Sequence, residues 1–451
     1  MPVAPRTLAE WLAAIEAMHP QAIAMGLERS RRVADRLGLD AHLNLDVPII
    51  TVGGTNGKGS TCAMLESMLL AAGYRVGLYI KPHFVRFNER ARTDGREASD
   101  ADLIAQFEAV EEARTRDEPI ELTYYEFTTL AILRLFSRSS LDVLILEVGL
   151  GGRLDTVNLV DADCAVVTGI AIDHVDYLGG TREAIGFEKA GIFRAGRPAI
   201  CADPDPPRSL VDHANTIGAD LWLIGRDFNF AGDRQQWNFA ARGRRRSSLA
   251  YPALRGANQL FNASGALAAL AALHERLPMS QQAVRTGLMT VELVGRFQVL
   301  PGKPTVILDV AHNPQAAAAL AHNLDHMGFF PRTFAILGVM ADKDVAGVIA
   351  PLVGLVDGWF MTALPLPRAA APERLVAVEA EVDRTKPGFD KRERASVVAC
   401  ANAADAWRRA LEAAGPDDRI AAFGSFHTVA AVLQARSAPS PAGPPPISSH
   451  P

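Results

Sequence analysis

The sequence predicts an α/β protein with a doubly wound, mainly parallel sheet, followed by a second, smaller α/β unit. In the first part of the chain, apolar β-branched runs alternate with amphipathic helical patterns, which is typical of parallel sheets covered by helices. The alternation begins again near residue 294 and continues for about 140 residues, a usual domain size. We therefore expect domains at 1–295 and 296–436, and a disordered Pro/Ser-rich tail at 437–451.

The composition narrows the class of protein. An apolar content of 49% with 22% charged residues indicates a soluble globular chain. The net charge of −5 lacks the basic excess that is typical of nucleic-acid-binding proteins. We expect the basic run at 242–246 to be a solvated loop between strands. The four scattered cysteines lack zinc spacing and indicate reduced thiols. Without a signal-peptide or membrane-spanning pattern, we expect a cytoplasmic monomer that binds neither nucleic acid nor a membrane.

The N-terminal region predicts two helices before the first strand. Residues 7–18 have Thr7 as the N-cap, and Glu10 completes a capping box. A second helix is expected at 26–37.

The stretch 47–60, VPIITVGGTNGKGS, predicts a phosphate-binding loop. It joins a buried strand, a glycine-rich turn with Lys58 inside it, and a helix that Ser60 opens. Glycines let backbone N–H groups turn inward, and a helix N-terminus favours an anion. The spacing departs from the common pattern because Gly59 separates Lys58 from Ser60. The alternative is an ordinary glycine-rich turn with a surface lysine.

The remaining elements continue the α/β alternation. In the first domain we expect strands at 74–80, 141–148 and 162–172, helices at 100–113, 122–136 and 259–276, and short strands within 198–250. In the second we expect strands at 305–310, 333–339, 358–362 and 418–423, and helices at 314–327, 345–353 and 400–414. Polar residues follow several strand ends, where open α/β sheets bind ligands.

Three of these strand-end or helical residues could do chemistry. Glu147 ends an apolar strand beside a glycine turn and suits Mg²⁺, although it could also be a solvated glutamate. His174 follows another strand; a lone histidine is more often structural, and Asp173 beside it could orient it or be the ligand itself. Lys189 lies among apolar residues of a helix and has the pattern of a snorkelling side chain.

Two functional classes are compatible with these residues. One is an ATP-dependent ligase or kinase that acts on a small molecule, and the other is a nucleotide-driven switch or motor. The second α/β unit carries its own strand-end motif, DVAHNP, which favours closure over a small acceptor.

Ten motifs occur in order: GTNGKGS, PHFVRFNER, LTYYEF, LEVGLGGRLDTVN, IDHVDYLG, EKAGIFR, VGRFQ, LDVAHNP, DKD and GSFHTV. In this order they resemble the folylpolyglutamate synthase/dihydrofolate synthase family of the Mur ligase superfamily, over His19 to Gln434. The resemblance implies a P-loop ATPase-type domain, a Rossmann-like ligase domain and an active site in the cleft between them. It implies ATP-dependent addition of L-glutamate to 7,8-dihydropteroate and to tetrahydrofolate polyglutamate tails through an acyl phosphate, with Mg²⁺ as cofactor.

The resemblance also assigns residues. The implied ATP contacts are Asn56, Gly57, Lys58, Gly59, Ser60, Asn262, Arg296 and Asp309. The implied Mg²⁺ ligands are Ser60, Glu147 and His174, and the implied catalytic residues are Lys58, His174 and a carbamylated Lys189. The implied pteroate and folate pocket consists of Ile23, Ala24, Met25, Gly26, Thr123, Tyr125, Leu154, Asp155 and Thr156. This pocket favours the bifunctional enzyme over a monofunctional folylpolyglutamate synthase.

One departure from the family pattern concerns Lys81. The family usually has a serine there, which ligates a second Mg²⁺, whereas an ammonium group cannot ligate a metal. We hypothesise that the Lys81 charge replaces that metal against phosphate oxygens. Two further alternatives are a cell-wall Mur ligase, for which no UDP-binding domain fits before Val47, and a non-enzymatic nucleotide-binding module, which would leave the second-domain motifs unexplained.

Overall fold

The structure is a computed structural model that describes residues 7–19, 24–233, 235–256, 258–385 and 394–437. The chain divides into two compact units, Met1–Leu293 and Val294–Pro451. Residues 438–451 of the predicted tail and Ile23 of the predicted pocket lie outside the described residues.

The first unit is built on an eight-stranded sheet with the order β4-β3-β2-β5-β1-β6-β7-β8. Its strands are β1 Ile49–Gly53, β2 Val76–Tyr79, β3 Ala91–Thr93, β4 Arg96–Glu97, β5 Val143–Glu147, β6 Cys164–Val167, β7 Pro198–Cys201 and β8 Asp220–Leu223. The six neighbouring strands β2, β5, β1, β6, β7 and β8 pair in parallel. At one edge of the sheet, β3 pairs antiparallel with β2, and β4 pairs antiparallel with β3. The predicted mainly parallel sheet is therefore confirmed.

Helices cover both faces of this sheet. They are α1 Leu8–Glu16, α2 Glu28–Arg36, α3 Lys58–Ala71, α4 Asp100–Thr115, α5 Tyr124–Ser137, α6 Val175–Leu178, α7 Arg182–Ala190, α8 Arg208–Ile217, α9 Gln259–Ala272 and α10 Gln281–Thr290, with 3₁₀ turns at Phe87–Arg90 and Thr156–Leu159. The Thr7–Glu10 capping box is present as predicted. No helix in the described part of the chain is both long and apolar enough to cross a membrane.

Alternating residues of β1 divide the core between the two faces. Ile50 and Val52 pack in one apolar cluster with α3, α9 and α10, whereas Ile49 packs in another with α1, α2, α4 and α5. Every residue of β1 is buried, which explains why the strand reads as a continuous apolar run rather than as an alternating one. The doubly wound arrangement follows from this two-sided burial.

A separate three-stranded antiparallel sheet corrects the expectation for the basic run at 242–246. Its strands are β9 Phe228–Gly232, β10 Trp237–Ala241 and β11 Arg244–Leu249. Three of the arginines lie in the edge strand β11 and not in a loop, which suits an edge that must avoid further pairing. Arg242 precedes this strand and donates to Asp220 at 2.6 Å and to Asp227 at 3.2 Å, so its charge is balanced locally.

The second unit contains a six-stranded sheet with the order β12-β13-β17-β14-β15-β16. Its strands are β12 Gln298–Leu300, β13 Thr305–Leu308, β14 Thr333–Leu337, β15 Gly358–Thr362, β16 Ser396–Cys400 and β17 Arg419–Phe423. Its helices are α11 Pro314–Asp325, α12 Val345–Ile349, α13 Pro372–Thr385, α14 Ala403–Ala413 and α15 Phe426–Ser437. The sheet is parallel except at β12, and Trp359 and Phe423 are among the side chains at the centre of its core.

Helix α3 is held in place by a close contact with α10. A Cβ atom added at Gly287 would lie 2.4 Å from the Met68 Cα atom and 2.6 Å from its nitrogen. The Ser67 hydroxyl also donates to the Gly287 carbonyl at 2.8 Å. The position therefore admits only glycine at this helix separation.

We predict that Gly287→Ala destabilises the first unit by about 1–3 kcal/mol, because backbone atoms of α3 must move to admit the methyl group. Thermal unfolding followed by circular dichroism would measure the change. Gly354→Ala is the matched control, since no atom lies within 4 Å of its added Cβ. Equal melting temperatures for the two variants would contradict the prediction.

Candidate active site

The predicted phosphate loop leaves the buried strand β1 and enters α3, which begins at Lys58. Gly57 is the helix N-cap with φ of 99°, a left-handed conformation that favours glycine. Gly59 and Ser60 lie buried in the first helical turn. The first N–H groups of a 14-residue helix and the positive end of its dipole therefore favour an anion at this loop.

Two side chains pack against the loop glycines so closely that no Cβ atom would fit. A Cβ at Gly54 would lie 1.9 Å from the Thr168 hydroxyl oxygen, and one at Gly57 would lie 2.2 Å from Asn262 Oδ1. The structure thus brings Asn262, on α9, to the loop, as the predicted ATP site requires. The Asn56 N–H donates to the Gly169 carbonyl at 3.2 Å and anchors the loop to the chain after β6.

Two lysines converge on one carbonyl oxygen of the loop. Lys58 Nζ donates to the Gly54 carbonyl at 3.0 Å and to the Thr55 carbonyl at 3.2 Å. Lys189 Nζ, from α7, donates to the same Gly54 carbonyl at 2.8 Å. Lys189 is only 3% exposed, so its amino group is buried and does not reach the surface as a snorkelling side chain would.

The environment of Lys189 lowers its pKa. Burial is the largest cause, and the positive charge of Lys58 adds to it, whereas Asp173 and Asp155 oppose the shift; the pKa falls to about 7. A large fraction of Lys189 is therefore an uncharged amine at neutral pH. An uncharged amine is nucleophilic and can react with CO₂.

Ser60 and Glu147 fit a magnesium ion beside the loop. Glu147 is 2% exposed at the end of β5, and in the sheet register it lies opposite Val52 of β1. The hydroxyl of Ser60 lies in the first turn of α3. The described residues contain no group of three or more His, Cys, Asp or Glu suited to a metal. Mg²⁺ nevertheless needs few protein ligands when phosphates and water complete its coordination, and ligation by Ser60 and Glu147 stays a prediction.

His174 lies after β6 in a strained backbone conformation, with φ of 51° at the start of α6. Its side chain is 40% exposed, and Nε2 lies 3.9 Å from the Asp173 carboxylate, which is 8% exposed. The His174 N–H also donates to Asp173 Oδ1 at 2.9 Å. These contacts favour Asp173 as the residue that orients His174, and metal ligation by His174 stays a prediction.

Tyr125 and Asp155 of the predicted pocket are joined directly. The Tyr125 hydroxyl donates to Asp155 Oδ1 at 2.8 Å. Asp155 Oδ2 accepts from the N–H groups of Gly149 at 3.0 Å and Leu150 at 2.8 Å. Asp155 therefore shapes the glycine turn after Glu147, and buried Thr156 follows it at the start of a 3₁₀ turn.

A second set of contacts connects the start of α5 with the chain before α2. Thr123 is the N-cap of α5 and forms a capping box with Glu126. Arg29 donates to Glu126 Oε1 at 2.9 Å and to the Ala24 carbonyl at 3.1 Å. The structure thus brings Ala24 close to Thr123, as the predicted pocket requires.

The remaining pocket residues are less closely tied together. The Met25 methyl group lies 3.6 Å from a Cβ placed at Gly151, so it reaches the glycine turn. Gly26 has φ of 142° with no atom within 4 Å of an added Cβ, and Leu154 is half-buried.

Lys81 lies at the end of β2, next to Glu147. Its N–H donates to Glu147 Oε2 at 2.7 Å, and its Nζ donates to the Tyr125 hydroxyl at 2.8 Å. The same Nζ lies 3.7 Å from the centre of the Tyr79 ring. Burial lowers the pKa of Lys81 to about 8, with Asp155 and Glu147 opposing the shift.

Sequence reasoning did not identify Tyr79 and Thr168 as site residues. Tyr79 ends an apolar strand and has the pattern of core, and Thr168 follows another apolar strand. The position of both residues at strand ends was the one available signal.

Arg296 and Asp309 belong to the second unit and meet there. Asp309 follows β13 and accepts from the N–H groups of Phe297 and Ala311, each at 2.8 Å. Burial raises its pKa, and the charge of Arg296 is the largest opposing cause. The Arg296 guanidinium lies 5.2 Å from the centre of the Phe426 ring.

Two protein families match the chain over most of its length. The Mur ligase middle domain matches residues 52–272, and the Mur ligase glutamate ligase domain matches residues 295–426. These two matches follow the same order as the two structural units.

Named relatives match almost the whole chain. The dihydrofolate synthase/folylpolyglutamate synthase of Escherichia coli (strain K12) is 43% identical over 96% of each chain. The structure of E. coli FolC in complex with DHPP and ADP is 42% identical, covers 97% of this chain and 99% of the other, and has a TM-score of 0.88. A bifunctional folylpolyglutamate synthase/dihydrofolate synthase with Mn, AMPPNP and L-glutamate bound has a TM-score of 0.85 at 42% identity, over 96% and 99% of the two chains. Sequence and fold agree over both units, and the chain belongs to the dihydrofolate synthase/folylpolyglutamate synthase family of Mur ligases.

Proposed function

We propose that this chain is a bifunctional ATP-dependent ligase that adds L-glutamate to 7,8-dihydropteroate and to the polyglutamate tail of tetrahydrofolate. The observation that carries the proposal is the convergence of Lys58 and Lys189 on the phosphate loop, beside the buried carboxylate of Glu147. A relative of the same fold binds AMPPNP, Mn and L-glutamate, which supports ATP, a divalent metal and glutamate as ligands of this chain.

The reaction proceeds in two steps, phosphorylation of the acceptor carboxylate and attack by the glutamate amine. An oxygen of the acceptor carboxylate attacks the γ-phosphorus of ATP, ADP leaves, and an acyl phosphate forms. The α-amine of glutamate then attacks the acyl carbon, phosphate leaves, and the nitrogen loses a proton to give the amide. A carboxylate becomes a good electrophile only when one of its oxygens can leave as phosphate, which explains the need for ATP.

The residues of this chain bind and orient the reactants. The loop N–H groups and the Lys58 ammonium bind phosphate oxygens and stabilise the charge that develops on them. Ser60, Glu147 and His174 would hold Mg²⁺, which, when bound, neutralises phosphate charge. Asn262, Asn56 and the loop glycines complete the proposed ATP contacts in the first unit, and Arg296 and Asp309 are the proposed contacts in the second.

Lys189 is proposed to act as a carbamate. The nitrogen of its uncharged amine attacks the carbon of CO₂ and loses a proton, and the product is an anionic carbamate that can serve as an oxygen ligand near the loop. The carbamate would be attracted to the Lys58 ammonium, which the protonated form of Lys189 would repel.

The proposed acceptor pocket combines the Tyr125–Asp155 pair with the Thr123–Ala24 region. The proposal further includes the domain limits 1–295 and 296–436, and a monomer that acts in the cytoplasm without nucleic acid or membrane partners. The net charge of −5 supports the absence of a nucleic-acid partner. Light scattering of the purified chain would measure its oligomeric state.

We predict ADP release from ATP, Mg²⁺ and L-glutamate when either dihydropteroate or tetrahydrofolate is added. A coupled ADP assay with each acceptor in a separate reaction measures both activities. Release with tetrahydrofolate alone would identify a monofunctional folylpolyglutamate synthase. Release with neither acceptor would refute the proposed function.

We predict that Lys58→Ala lowers turnover with both acceptors by at least about 100-fold, because one cation is lost where negative charge develops. Lys303→Ala is the matched control, since Lys303 is 76% exposed at its side chain and lies in the second unit. Circular dichroism would establish that both variants fold. Wild-type turnover in Lys58→Ala would show that the loop is not the phosphate site.

We predict a carbamate on Lys189 whose occupancy rises as the pH increases through about 7, because the pKa of Lys189 is lowered to about 7 and only the uncharged amine reacts. Carbon-13 NMR at constant CO₂ pressure, with ¹³C-labelled CO₂, would measure the signal between acidic and alkaline pH. Lys189→Met should remove the signal and Lys303→Met should keep it. A spectrum of the wild-type chain that matches that of Lys189→Met would contradict carbamylation.

A further inference from the structure

We infer that Lys81 binds the carboxylate of the acceptor, the acid whose oxygen receives the phosphoryl group. This inference rests on the proposed function, because it names the atom group that one residue of the proposed site recognises. It assigns to Lys81 a contact with the acceptor and not with the phosphates of the nucleotide.

The surroundings of the Lys81 ammonium leave one direction for a ligand. An ammonium group has three N–H donors. One donates to the Tyr125 hydroxyl at 2.8 Å, and the Tyr79 ring covers a second side at 3.7 Å from Nζ to the ring centre. No second acceptor lies within hydrogen-bonding distance of Nζ among the described residues. A half-buried ammonium with an unmatched donor is costly, and an anionic oxygen would remove that cost.

The nearest carboxylates are already engaged by other donors. Asp155 accepts from the Tyr125 hydroxyl and the Val157 N–H on one oxygen, and from the Gly149 and Leu150 N–H groups on the other. Because Tyr125 donates to Asp155, its oxygen lone pairs face Lys81, so the tyrosine separates the two charges. Lys81 therefore has no direct ion pair with Asp155.

Arg90, whose charge also acts on Lys81, is engaged elsewhere. Arg90 Nε donates to His83 Nδ1 at 2.8 Å, and its guanidinium lies over the rings of Phe87 and Tyr124, at 5.2 and 5.8 Å from their centres. The Lys81 ammonium, by contrast, donates directly to the hydroxyl of the Tyr125–Asp155 pair.

The strand order places Lys81 on the side of Glu147 that is away from the phosphate loop. β2 pairs with β5, and β5 pairs with β1, so the ends of the three strands form a row: Lys81, Glu147 and the phosphate loop. Neighbouring strands are about 4.8 Å apart, which puts the backbone of Lys81 about 10 Å from that of the loop strand. An acceptor carboxylate held beside the Tyr125–Asp155 pair of the proposed pocket would lie on this side of Glu147.

One aromatic side chain beside the ammonium fits the same ligand. The Tyr79 and Tyr125 rings lie 3.7 and 4.9 Å from Nζ, measured to the ring centres, and Tyr79 is fully buried whereas Tyr125 is half-buried. Dihydropteroate carries its carboxylate on a benzene ring, so the Tyr125 ring can pack against its apolar part while Lys81 binds the charge.

The test compares 7,8-dihydropteroate with its carboxamide, which has the same shape and no charge. Binding of each is measured by calorimetry with saturating ADP and Mg²⁺, in the wild type and in Lys81→Met. We expect the wild type to bind the acid about 10- to 100-fold more tightly than the amide, the range of a charged hydrogen bond. In Lys81→Met the ratio should fall to near one.

Lys303→Met is the matched control and should keep the wild-type ratio. If Lys81→Met fails to fold, Lys81→Gln replaces it, because glutamine keeps a donor for Tyr125 without the charge. In Lys81→Gln the ratio of acid affinity to amide affinity should also fall to near one. The ratio of AMPPNP to ADP affinity, measured in the same variants, should not change.

The outcomes separate the two claims. If the wild type binds neither dihydropteroate nor its amide, the proposed function fails and this inference fails with it. If the wild type binds both equally, or if Lys81→Met and Lys81→Gln keep the discrimination, the role of Lys81 is refuted while the proposed function stands. A change confined to the AMPPNP to ADP ratio would assign Lys81 to the nucleotide phosphates and overturn the inference.

Discussion

The parallel pairing of β2, β5 and β1 is the constraint on which the candidate site depends. These strands come from distant parts of the chain, and parallel pairing brings their carboxyl ends to one edge of the sheet. The crossover that leaves β1 is α3, the same helix whose N-terminus faces the predicted phosphate. The sheet therefore positions Glu147 and the loop together, and the close packing of Gly287 on Met68 sets the distance between α3 and α10.

Three lysines lie at this edge of the sheet and can bind several anionic groups. Lys58 and Lys189 share the Gly54 carbonyl on one side of Glu147, and Lys81 lies on the other side. Burial and mutual repulsion lower the pKa of Lys189 to about 7, so this group does not keep a full charge at neutral pH. Asp155 is engaged by local hydrogen bonds and forms no direct ion pair with Lys81, although its negative charge favours the protonated lysine. A ligase that collects ATP and an acceptor carboxylate needs such an arrangement.

Much of the fold could be predicted from local patterns. The buried strands, the capping box at Thr7 and Glu10, and the restart of the α/β alternation near residue 294 all have short-range signals. The short strands expected within 198–250 lie at 199–201, 221–225 and 237–241, so β9 and β11 were not predicted. The strands β12 and β16 and the helices α8, α10 and α13 were not predicted either. In β11 most residues are exposed arginine or serine, so no apolar alternation marks the strand, and its pairing with β10 decides its conformation.

The sequence by itself determined the phosphate loop, the strand-end position of Glu147 and the family resemblance, because these depend on residue types at short, regular spacing. Only the tertiary structure decided which atoms the lysine side chains contact. Lys189 reaches the Gly54 carbonyl across 135 positions of the chain, and Lys81 reaches Tyr125 across 44. Such contacts depend on which helix packs on which strand, and on the burial that follows. From the sequence, Lys189 has the pattern of a snorkelling side chain, the family resemblance implies a carbamylated lysine there, and Lys81 departs from the family pattern. In the fold Lys189 is buried and Lys81 is half-buried, and both amines have defined partners.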